Sequence, residues 1–198
     1  GHESSSRTAG DGTSFRGRPV RVIGGTLGGR QLLAPKGWQV RPTPERAREA
    51  IFSALGDIEG LTVADLYCGT GALGIEAISR GAAFATLVDQ DTRPAMGNVH
   101  NLGLVEKVDL IRAEASRWVT DAAAAPMVRR FDLIMLDPPY NKAEELSPLL
   151  DASLPALLEP GGRVVAESSP GRPLDIPSLE VVRERRYGRT LVRFLQHP

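Results

Sequence analysis

The order of apolar and polar residues changes near residue 60, where a succession of short apolar runs begins. These runs predict strands at 63–66, 85–88, 108–111, 131–136 and 163–167, with two more at 179–185 and 190–195. Between several of them, apolar residues recur at helical spacing, over 72–79, 94–102 and 144–158, the last interrupted by Pro148 and Pro155. Repeated βα units that end in a hairpin predict an α/β fold, with a mostly parallel sheet, helices on both faces and a final antiparallel strand.

The first 58 residues follow a different pattern. Residues 1–17 are rich in Gly, Ser, Thr and charge, which predicts a disordered head. Apolar runs at 20–23 and 31–34 flank a glycine-rich turn, so a small β-hairpin is predicted. An extended Arg-Pro-Thr-Pro lead-in precedes a helix to about residue 55, with Thr43 as the expected N-cap. The pattern therefore predicts a head (1–17), a hairpin-and-helix appendage (18–58) and an α/β domain (59–198).

Charge is balanced over the 198 residues but is unevenly distributed along them. The first 50 residues hold nine basic and four acidic side chains, so the rest of the chain is acidic. A basic edge on an acidic body suits an enzyme that binds a polyanion, although a solvated surface without a partner has the same composition. The candidate nucleic-acid contacts are Arg16, Arg18, Arg21, Arg30, Arg41 and Arg46.

Composition also excludes several classes of protein. The single cysteine, Cys68, rules out a disulfide framework and any multi-cysteine metal site, and no metal is expected. It lies in a glycine-rich turn and is interpreted as a small packing residue rather than a nucleophile. No apolar stretch approaches the roughly 18 residues that a membrane-spanning helix needs, and nothing near the N-terminus has the pattern of a signal peptide. A cytoplasmic protein with no membrane partner is therefore expected, and a monomer is expected because no long apolar surface stripe remains unassigned.

A glycine-rich turn joins the first strand of the α/β domain to its first helix. Gly69-x-Gly71-x-x-Gly74 provides positive φ angles, room for a ligand at Gly69 and Gly71, and close helix packing at Gly74. The same spacing fits the dinucleotide fingerprint, and Asp89 follows Gly69 by 20 residues, where a ribose-binding acid is expected. This motif alone does not separate NAD from S-adenosylmethionine.

Acidic residues around the turn favour S-adenosylmethionine. Asp65, at the end of the first strand, can face a sulfonium cation but would repel a pyrophosphate. Asp89 can accept hydrogen bonds from both ribose hydroxyls; Asp91 competes for this role but better fits a helix N-cap. Glu114 is a candidate adenine contact or an ordinary acid in the first turn of a helix. The full candidate cofactor set is Asp65, Tyr67, Gly69, Thr70, Gly71, Asp89, Gln90, Glu114 and Ala115.

The apolar run at 131–136 leads directly into Asp137-Pro138-Pro139-Tyr140. Two prolines end the sheet in a stiff extended loop, which leaves the Asp137 carboxylate and the Pro138 carbonyl as rigid acceptors. Two acceptors can hold both protons of a base amino group and point its lone pair at a methyl carbon. Tyr140 can stack on a base flipped into the site. A strand-terminating turn is the alternative, since Asp and Pro are common turn residues.

Residues 65–74 and 137–140 together resemble class I methyltransferases that act on amino groups. RVIGG at 21–25, Gly29-Arg30, RPT at 41–43 and RxRExIF at 46–52 resemble the RsmD family, bacterial enzymes that methylate guanine N2 in small-subunit ribosomal RNA. The resemblance runs from about residue 20 to the C-terminus. It implies a seven-stranded Rossmann-like sheet, S-adenosylmethionine as methyl donor, and the small ribosomal subunit or its assembly intermediate as substrate. It also implies a target-base site at 137–140 and RNA contacts from the Arg-rich hairpin and helix.

Alternatives of other kinds stay open from the sequence. The same Asp-Pro-Pro-Tyr chemistry serves adenine N6 or cytosine N4 in DNA, although 198 residues leave no separate target-recognition domain. A protein amide as acceptor would leave the basic N-terminus unexplained. The glycine spacing with Asp89 fits an NAD-dependent oxidoreductase, and a non-catalytic nucleic-acid-binding protein with an inactive pocket is a further possibility.

Overall fold

A computed structural model describes residues 20–36 and 43–198. The predicted head, and with it Arg16, Arg18 and Arg41, lies outside the described residues.

The elements follow the predicted order, with bounds that differ by a few residues. The strands are β1 (Val20–Arg21), β2 (Gln31–Leu32), β3 (Thr62–Leu66), β4 (Phe84–Asp89), β5 (Val108–Arg112), β6 (Phe131–Leu136), β7 (Leu158–Ser168), β8 (Glu180–Tyr187) and β9 (Thr190–Gln196). The helices are α1 (Glu45–Leu55), α2 (Ala72–Ser79), α3 (Arg93–Asn101), α4 (Ala115–Ala123) and α5 (Ala143–Leu157). The predicted N-terminal hairpin is confirmed by the antiparallel pairing of β1 with β2.

The seven-stranded sheet has the order β5-β4-β3-β6-β7-β9-β8. Strands β3 to β7 are parallel, and β9 pairs antiparallel with both β7 and β8. This confirms the predicted α/β fold with its antiparallel strand. Because the chain moves outwards from β3 to β5 and then returns to β6, the strand order switches between β3 and β6. Ligands of open α/β sheets bind at the carboxyl ends of the strands at such a switch point.

Alternating residues of the central strands supply two hydrophobic cores, one on each face of the sheet. On β6, Leu133 and Met135 face one core, whereas Ile134 and Leu136 face the other. This period of two is the geometry of a strand that is covered on both sides. The first core also contains the hairpin and α1, through residues that include Val22, Leu32, Ile51 and Phe52. The appendage therefore packs into the same core as the sheet.

A buried ion pair also joins the appendage to α2. Arg48 of α1 and Glu76 of α2 are 1% and 0% exposed, and their side chains approach to 3.6 Å. Glu76 accepts the backbone N–H groups of Ile23 and Gly24 at 2.9 Å each, and Arg48 donates to the Arg21 carbonyl at 2.8 Å. Burial lowers the pKa of Arg48. Arg48, one of the basic residues counted near the N-terminus, is thus an internal contact.

The predicted interruption of α5 is wrong, since Pro148 and Pro155 lie within a continuous helix. Each proline in a helix interior costs about 3 kcal/mol because it removes a backbone hydrogen bond. The opposing contribution is the burial of leucine side chains, worth roughly 1.5–3 kcal/mol each. The buried leucines are Leu146, Leu150, Leu154 and Leu157. Their packing against the sheet offsets the local cost.

Two predicted helix caps are also wrong. The N-cap of α1 is Pro44 without a side-chain hydrogen bond, because the Thr43 hydroxyl bonds elsewhere. The N-cap of α3 is Thr92, and Asp91 instead accepts the Arg93 N–H at 3.1 Å and forms an ion pair with the Arg93 side chain. No helix in the described part of the chain is long and apolar enough to cross a membrane.

Candidate active site

A cavity of about 1120 Å³ lies where the carboxyl ends of β3, β4, β6 and β7 meet. Ligand pockets typically measure roughly 300–1,000 Å³, so this cavity has room for a cofactor together with part of a second molecule. Its walls include predicted site residues from four loops: Tyr67, Gly69, Asp89, Gln90, Glu114, Ala115, Asp137, Pro138, Pro139 and Tyr140. The remaining walls come from the start of α1, from Glu167 of β7, and from the tip of the β8–β9 hairpin.

The glycine-rich turn has the backbone that its sequence predicts. Gly69 and Gly71 have φ angles of 56° and 83°, in the left-handed region that favours glycine. A Cβ on Gly71 would lie 2.9 Å from Leu87 Cδ2, so core side chains fill the space that the sequence predicted for a ligand. Gly74 packs in the same way, 2.9 Å from Leu87 Cδ1. The close helix–sheet contact at Gly74 is as expected, whereas ligand clearance at Gly71 is not seen.

Three predicted cofactor contacts, Asp65, Thr70 and Gly71, do not line the cavity. Asp65 is 1% exposed, and its Oδ2 accepts the Gly74 N–H at 2.8 Å. Burial raises the pKa of Asp65 to about 7. The Thr70 carbonyl accepts Asn98 Nδ2 at 2.9 Å, and Gly71 is the N-cap of α2. The sequence places these residues correctly in the turn, but the structure does not bring them to the cavity wall.

The remaining predicted cofactor residues do lie on the cavity wall. Asp89 accepts the Gly69 N–H at 3.0 Å through Oδ2 and the Asp91 N–H at 3.1 Å through Oδ1. These bonds fix the carboxylate and leave further lone pairs for a ligand. Glu114 caps α4 by accepting the Arg117 N–H at 2.9 Å and also lines the cavity. Both of the alternatives predicted for Glu114 are therefore compatible with its position.

Tyr67 combines a strained backbone with a buried polar atom. Its φ of 61° is the one positive value for a non-glycine residue in the described part of the chain. Its hydroxyl is buried near the Ser116 hydroxyl and the Glu114 carboxylate. Burial, together with the charge of Glu114, raises the pKa of Tyr67 to about 12. The Tyr67 hydroxyl is therefore neutral at physiological pH, on a residue that lines the cavity.

The Asp-Pro-Pro-Tyr loop lies beside this turn. The Asp137 N–H bonds to the Leu66 carbonyl at 3.4 Å, which holds the start of the loop against the end of β3. Pro138 is buried, whereas Tyr140 is 36% exposed and its hydroxyl lies 3.0 Å from Thr190 Oγ1. Burial raises the pKa of Asp137 to about 6. All four residues of the motif line the cavity.

Glu167 is a buried site residue that the sequence analysis missed. It is 1% exposed near the end of β7, beside Asp137 at the end of β6, and its oxygens accept the Thr43 hydroxyl at 2.9 and 3.0 Å. The signal was an acid that directly follows the apolar run 164–166. That signal is weak until the topology places β7 next to β6.

Acidic and basic side chains lie at different depths in the cavity. Its carboxylates are buried or partly buried: Asp89, Glu114, Asp137 and Glu167. The cations that line it among the described residues are exposed: Arg46, Lys142, Arg186 and Arg189. An acidic interior suits a cation and N–H donors, whereas a basic rim suits a polyanion. Asp65 lies beneath the glycine-rich turn, where a dinucleotide would place its pyrophosphate, so a negative charge at Asp65 disfavours a dinucleotide there.

The predicted nucleic-acid contacts are not gathered in one place. Of the three that are described, Arg46 lines the cavity. Arg21 forms an exposed ion pair with Glu45 at 2.7 Å, and Arg30 bonds to the Asn101 carbonyl at 3.4 Å. The described residues contain no group of acidic, histidine or cysteine side chains that could hold a metal ion.

Solved structures with a similar fold include proteins described as methyltransferases. The Escherichia coli protein yhhF covers 91% of this chain and 98% of its own, with a TM-score of 0.76 and 27% identity. An RNA methyltransferase of Salinibacter ruber, solved with S-adenosyl-L-homocysteine, covers 80% of this chain and 94% of its own, with a TM-score of 0.59 and 19% identity. With its acidic cavity at the switch point of the sheet, this chain is a class I, S-adenosylmethionine-dependent methyltransferase.

The family is shown by a match over nearly the whole chain. The family described as "Conserved hypothetical protein 95" matches residues 20–196. Ribosomal RNA small subunit methyltransferase D of Escherichia coli is 33% identical over 138 residues, 67% of each chain, and YlbH of Bacillus subtilis is 36% identical over 86% of this chain and 95% of its own. The chain belongs to this family, the RsmD family, which confirms the resemblance drawn from its sequence.

Proposed function

We propose that this protein transfers a methyl group to the N2 amino group of a guanine in small-subunit ribosomal RNA. The observation that carries the proposal is the position of Asp137, whose carboxyl lines the cavity beside the cofactor turn on a loop stiffened by two prolines. The name of the Escherichia coli relative supports ribosomal RNA as the substrate.

The cofactor fits the acidic side of the cavity. S-adenosylmethionine, when bound, supplies an electrophilic methyl group on a sulfonium. Asp89 can accept the ribose hydroxyls, since its carboxylate is already fixed by two backbone N–H groups. Glu114 and Ala115 form the adjoining wall, where they can meet the adenine ring. Tyr67 lines the same part of the cavity, next to Glu114.

The target base is held by the Asp-Pro-Pro-Tyr loop. Asp137 and the Pro138 carbonyl accept the two amino protons, and Tyr140 stacks on the base, which contributes about 1–3 kcal/mol. With S-adenosylmethionine bound, its sulfonium would supply the methyl group and leave as the neutral thioether, and Asp137 would accept the proton that the amino nitrogen loses on methylation. A pKa of about 6 suits this role, because Asp137 is ionised at neutral pH yet basic enough to take a proton.

The RNA backbone is proposed to lie on the basic rim. Arg46 belongs to the appendage, whereas Arg186 and Arg189 belong to the β8–β9 hairpin. The rim thus has cations from both ends of the chain around one opening. Contacts to phosphate position the nucleic acid, while the base is selected inside the cavity.

The test is transfer of labelled methyl from S-adenosylmethionine to small ribosomal subunits that lack this modification. Naked ribosomal RNA and duplex DNA are run alongside, and the products are digested to nucleosides. Label in N2-methylguanosine supports the proposal. Label in adenine or cytosine of DNA would support methylation of an amino group but would contradict ribosomal RNA as the substrate.

Asp137→Ala tests the role assigned to the carboxylate. We expect this variant to lose transfer and to keep cofactor affinity close to wild type in calorimetry, because the residues proposed to bind the cofactor lie on other loops. Near-normal transfer by a folded Asp137→Ala protein would contradict the amino-group mechanism.

A further inference from the structure

Glu167 lies beside Asp137 and contributes a buried side chain to the cavity wall. It is 1% exposed at the end of β7, next to the end of β6, where Leu136 pairs with Ala166. Asp137 and Glu167 each follow one of these paired residues, so their carboxyl groups leave adjacent strands side by side. Two neighbouring carboxyl groups with little access to water do not both ionise readily, because each charge disfavours the other. The pair is therefore expected to hold one proton at neutral pH.

Burial decides which of the two carboxyl groups carries this proton. Asp137 is partly exposed to the cavity, whereas Glu167 is almost completely buried, so ionisation costs less at Asp137. Asp65, on β3, is a third buried carboxyl near Glu167, and Arg48 of α1 is the nearby cation. Burial and the charge of Asp137 hold the pKa of Glu167 well above its ordinary range, while that of Asp137 is raised only to about 6.

The third member of the cluster is Thr43, which comes from the other end of the chain. Its hydroxyl, 7% exposed, donates towards Glu167 at 2.9 and 3.0 Å. This bond connects the segment that leads into α1, and so the appendage, to the carboxyl pair. Glu167 thus contacts the Thr43 hydroxyl and lies beside Asp137.

We propose that Glu167 is a positioning residue for methyl transfer: a neutral acid that donates its O–H to the Asp137 carboxylate while Thr43 donates to Glu167. The bond fixes one Asp137 oxygen and leaves the other directed at the target amino group. Before transfer the pair holds one proton and one negative charge. The proton released by the methylated nitrogen then goes to Asp137, and Glu167 keeps its own. The inference rests on the proposed function only in taking Asp137 as the acceptor of the amino proton.

Two substitutions of Glu167 separate positioning from proton transfer. Glu167→Gln keeps a donor for Asp137 and an acceptor for Thr43 but cannot ionise, so kcat should stay close to wild type at neutral pH. The decline of kcat at alkaline pH that follows ionisation of Glu167 should disappear. Glu167→Leu removes both bonds and should lower kcat on the order of 100-fold, with the KM for S-adenosylmethionine little changed. Asp132→Asn, at the opposite end of β6, is the control and should keep the wild-type profile.

Either of two activity results for the Glu167 variants would overturn the proposal. If Glu167→Gln were as inactive as Glu167→Leu, Glu167 would be the proton acceptor itself. If a folded Glu167→Leu protein kept full activity, Glu167 would have no role in positioning. Circular dichroism and thermal unfolding of each variant separate a loss of kcat from a loss of folding.

A second measurement needs no nucleic acid. Carbon-13 NMR of the full chain with labelled glutamate carboxyls follows the titration of Glu167, and Glu167→Gln assigns its signal. Glu167 should remain protonated at neutral pH, and Asp137→Asn should lower its pKa by removing the neighbouring charge. Ionisation of Glu167 in the ordinary glutamate range would overturn the proposal. Because this measurement does not involve the substrate, it remains decisive even if the methylated base is not guanine.

Discussion

The cofactor turn depends on single glycine positions where the backbone and the core allow no side chain. Gly71 has a φ of 83°, and a Cβ there would meet Leu87 and Ile75 at 2.9 and 3.2 Å. Gly97, on α3, has open space around its Cβ position and no positive φ. A side chain is therefore excluded at Gly71 and tolerated at Gly97.

Gly71→Val should lower the free energy of unfolding by about 2 kcal/mol or more, because strain in the left-handed region adds to the clash with the core. It should also abolish binding of S-adenosylmethionine, since the turn would move. The matched variant Gly97→Ala should raise stability by up to about 1 kcal/mol, as expected for alanine in a helix. Urea unfolding and calorimetry measure both effects. Normal cofactor binding by Gly71→Val would mean that the turn is adaptable.

The buried carboxyl groups also make stability depend on pH. Burial raises the pKa of Asp65 to about 7, so between its ordinary value near 4 and pH 7 the folded protein binds more protons than the unfolded chain. The corresponding contribution to stability is present at low pH and is lost as the pH rises through 7. Asp137 contributes in the same direction, with its loss near pH 6.

We therefore expect Asp65→Asn to flatten the pH dependence of stability. The asparagine oxygen can still accept the Gly74 N–H, so the fold should be kept. Urea unfolding of the cofactor-free protein between pH 5 and pH 8 compares the two slopes. An unchanged slope in Asp65→Asn would show that this carboxyl does not titrate in that interval.

Among the elements, α1 and the hairpin are connected to α2 by a buried ion pair. Arg48 and Glu76 are almost fully buried, and Glu76 also bonds to Arg80 at 2.8 Å and to two backbone N–H groups of the hairpin. Removing one partner of a buried pair leaves the other charge poorly compensated.

Arg48→Met should lower the free energy of unfolding by about 3 kcal/mol, near the low end for a broken buried pair because Arg80 still compensates Glu76. The control is Arg117→Met, which breaks an ion pair to Asp121 at 3.8 Å whose partners are 83% and 71% exposed. It should have almost no effect, since exposed pairs contribute little. Hydrogen exchange should show faster exchange at Ile23 and Gly24 in Arg48→Met alone. Equal stability of the two variants would contradict the assigned role of Arg48.

At the scale of the whole molecule, segments that are far apart in the sequence meet around one cavity. The start of α1 and the β8–β9 hairpin supply exposed arginines to the rim, although five strands of the sheet lie between them in the sequence. The sequence analysis located basic residues only in the N-terminal part. The arginines of β8 and of the turn after it were not recognised, because their position beside the cavity depends on the sheet order.

Charge reversal of Arg186 and Arg189 to Glu should weaken RNA binding in a salt-dependent way. Each lost phosphate contact lowers the slope of log affinity against log salt by about 0.7–0.9, so the pair should lower it by about 1.5. The control is the reversal of Lys107 and Arg130, which precede β5 and β6 at the amino ends of the strands, away from the cavity. Filter binding over a salt series measures both. Equal slopes for the two double variants would contradict the proposal that the β8–β9 hairpin contacts RNA.

The sequence by itself determined the parts of this protein that depend on neighbouring residues. Short apolar runs that alternate with segments of helical spacing define the α/β fold. Glycines define the cofactor turn because only they adopt its φ angles without strain. Two successive prolines end β6 and stiffen the loop that presents Asp137. Each of these features is set within about ten residues, so it can be recognised without knowing the packing.

Only the tertiary structure decided which of these residues act together. Asp65 and Thr70 lie in the predicted turn but face inwards, and α5 stays continuous through two prolines because its leucines are buried. Glu167 meets Asp137 and Thr43 because β7 lies next to β6 and α1 returns to the same edge, a contact that spans 124 residues. Burial and the sheet order fix these relations, and neither is encoded in any short stretch of the chain.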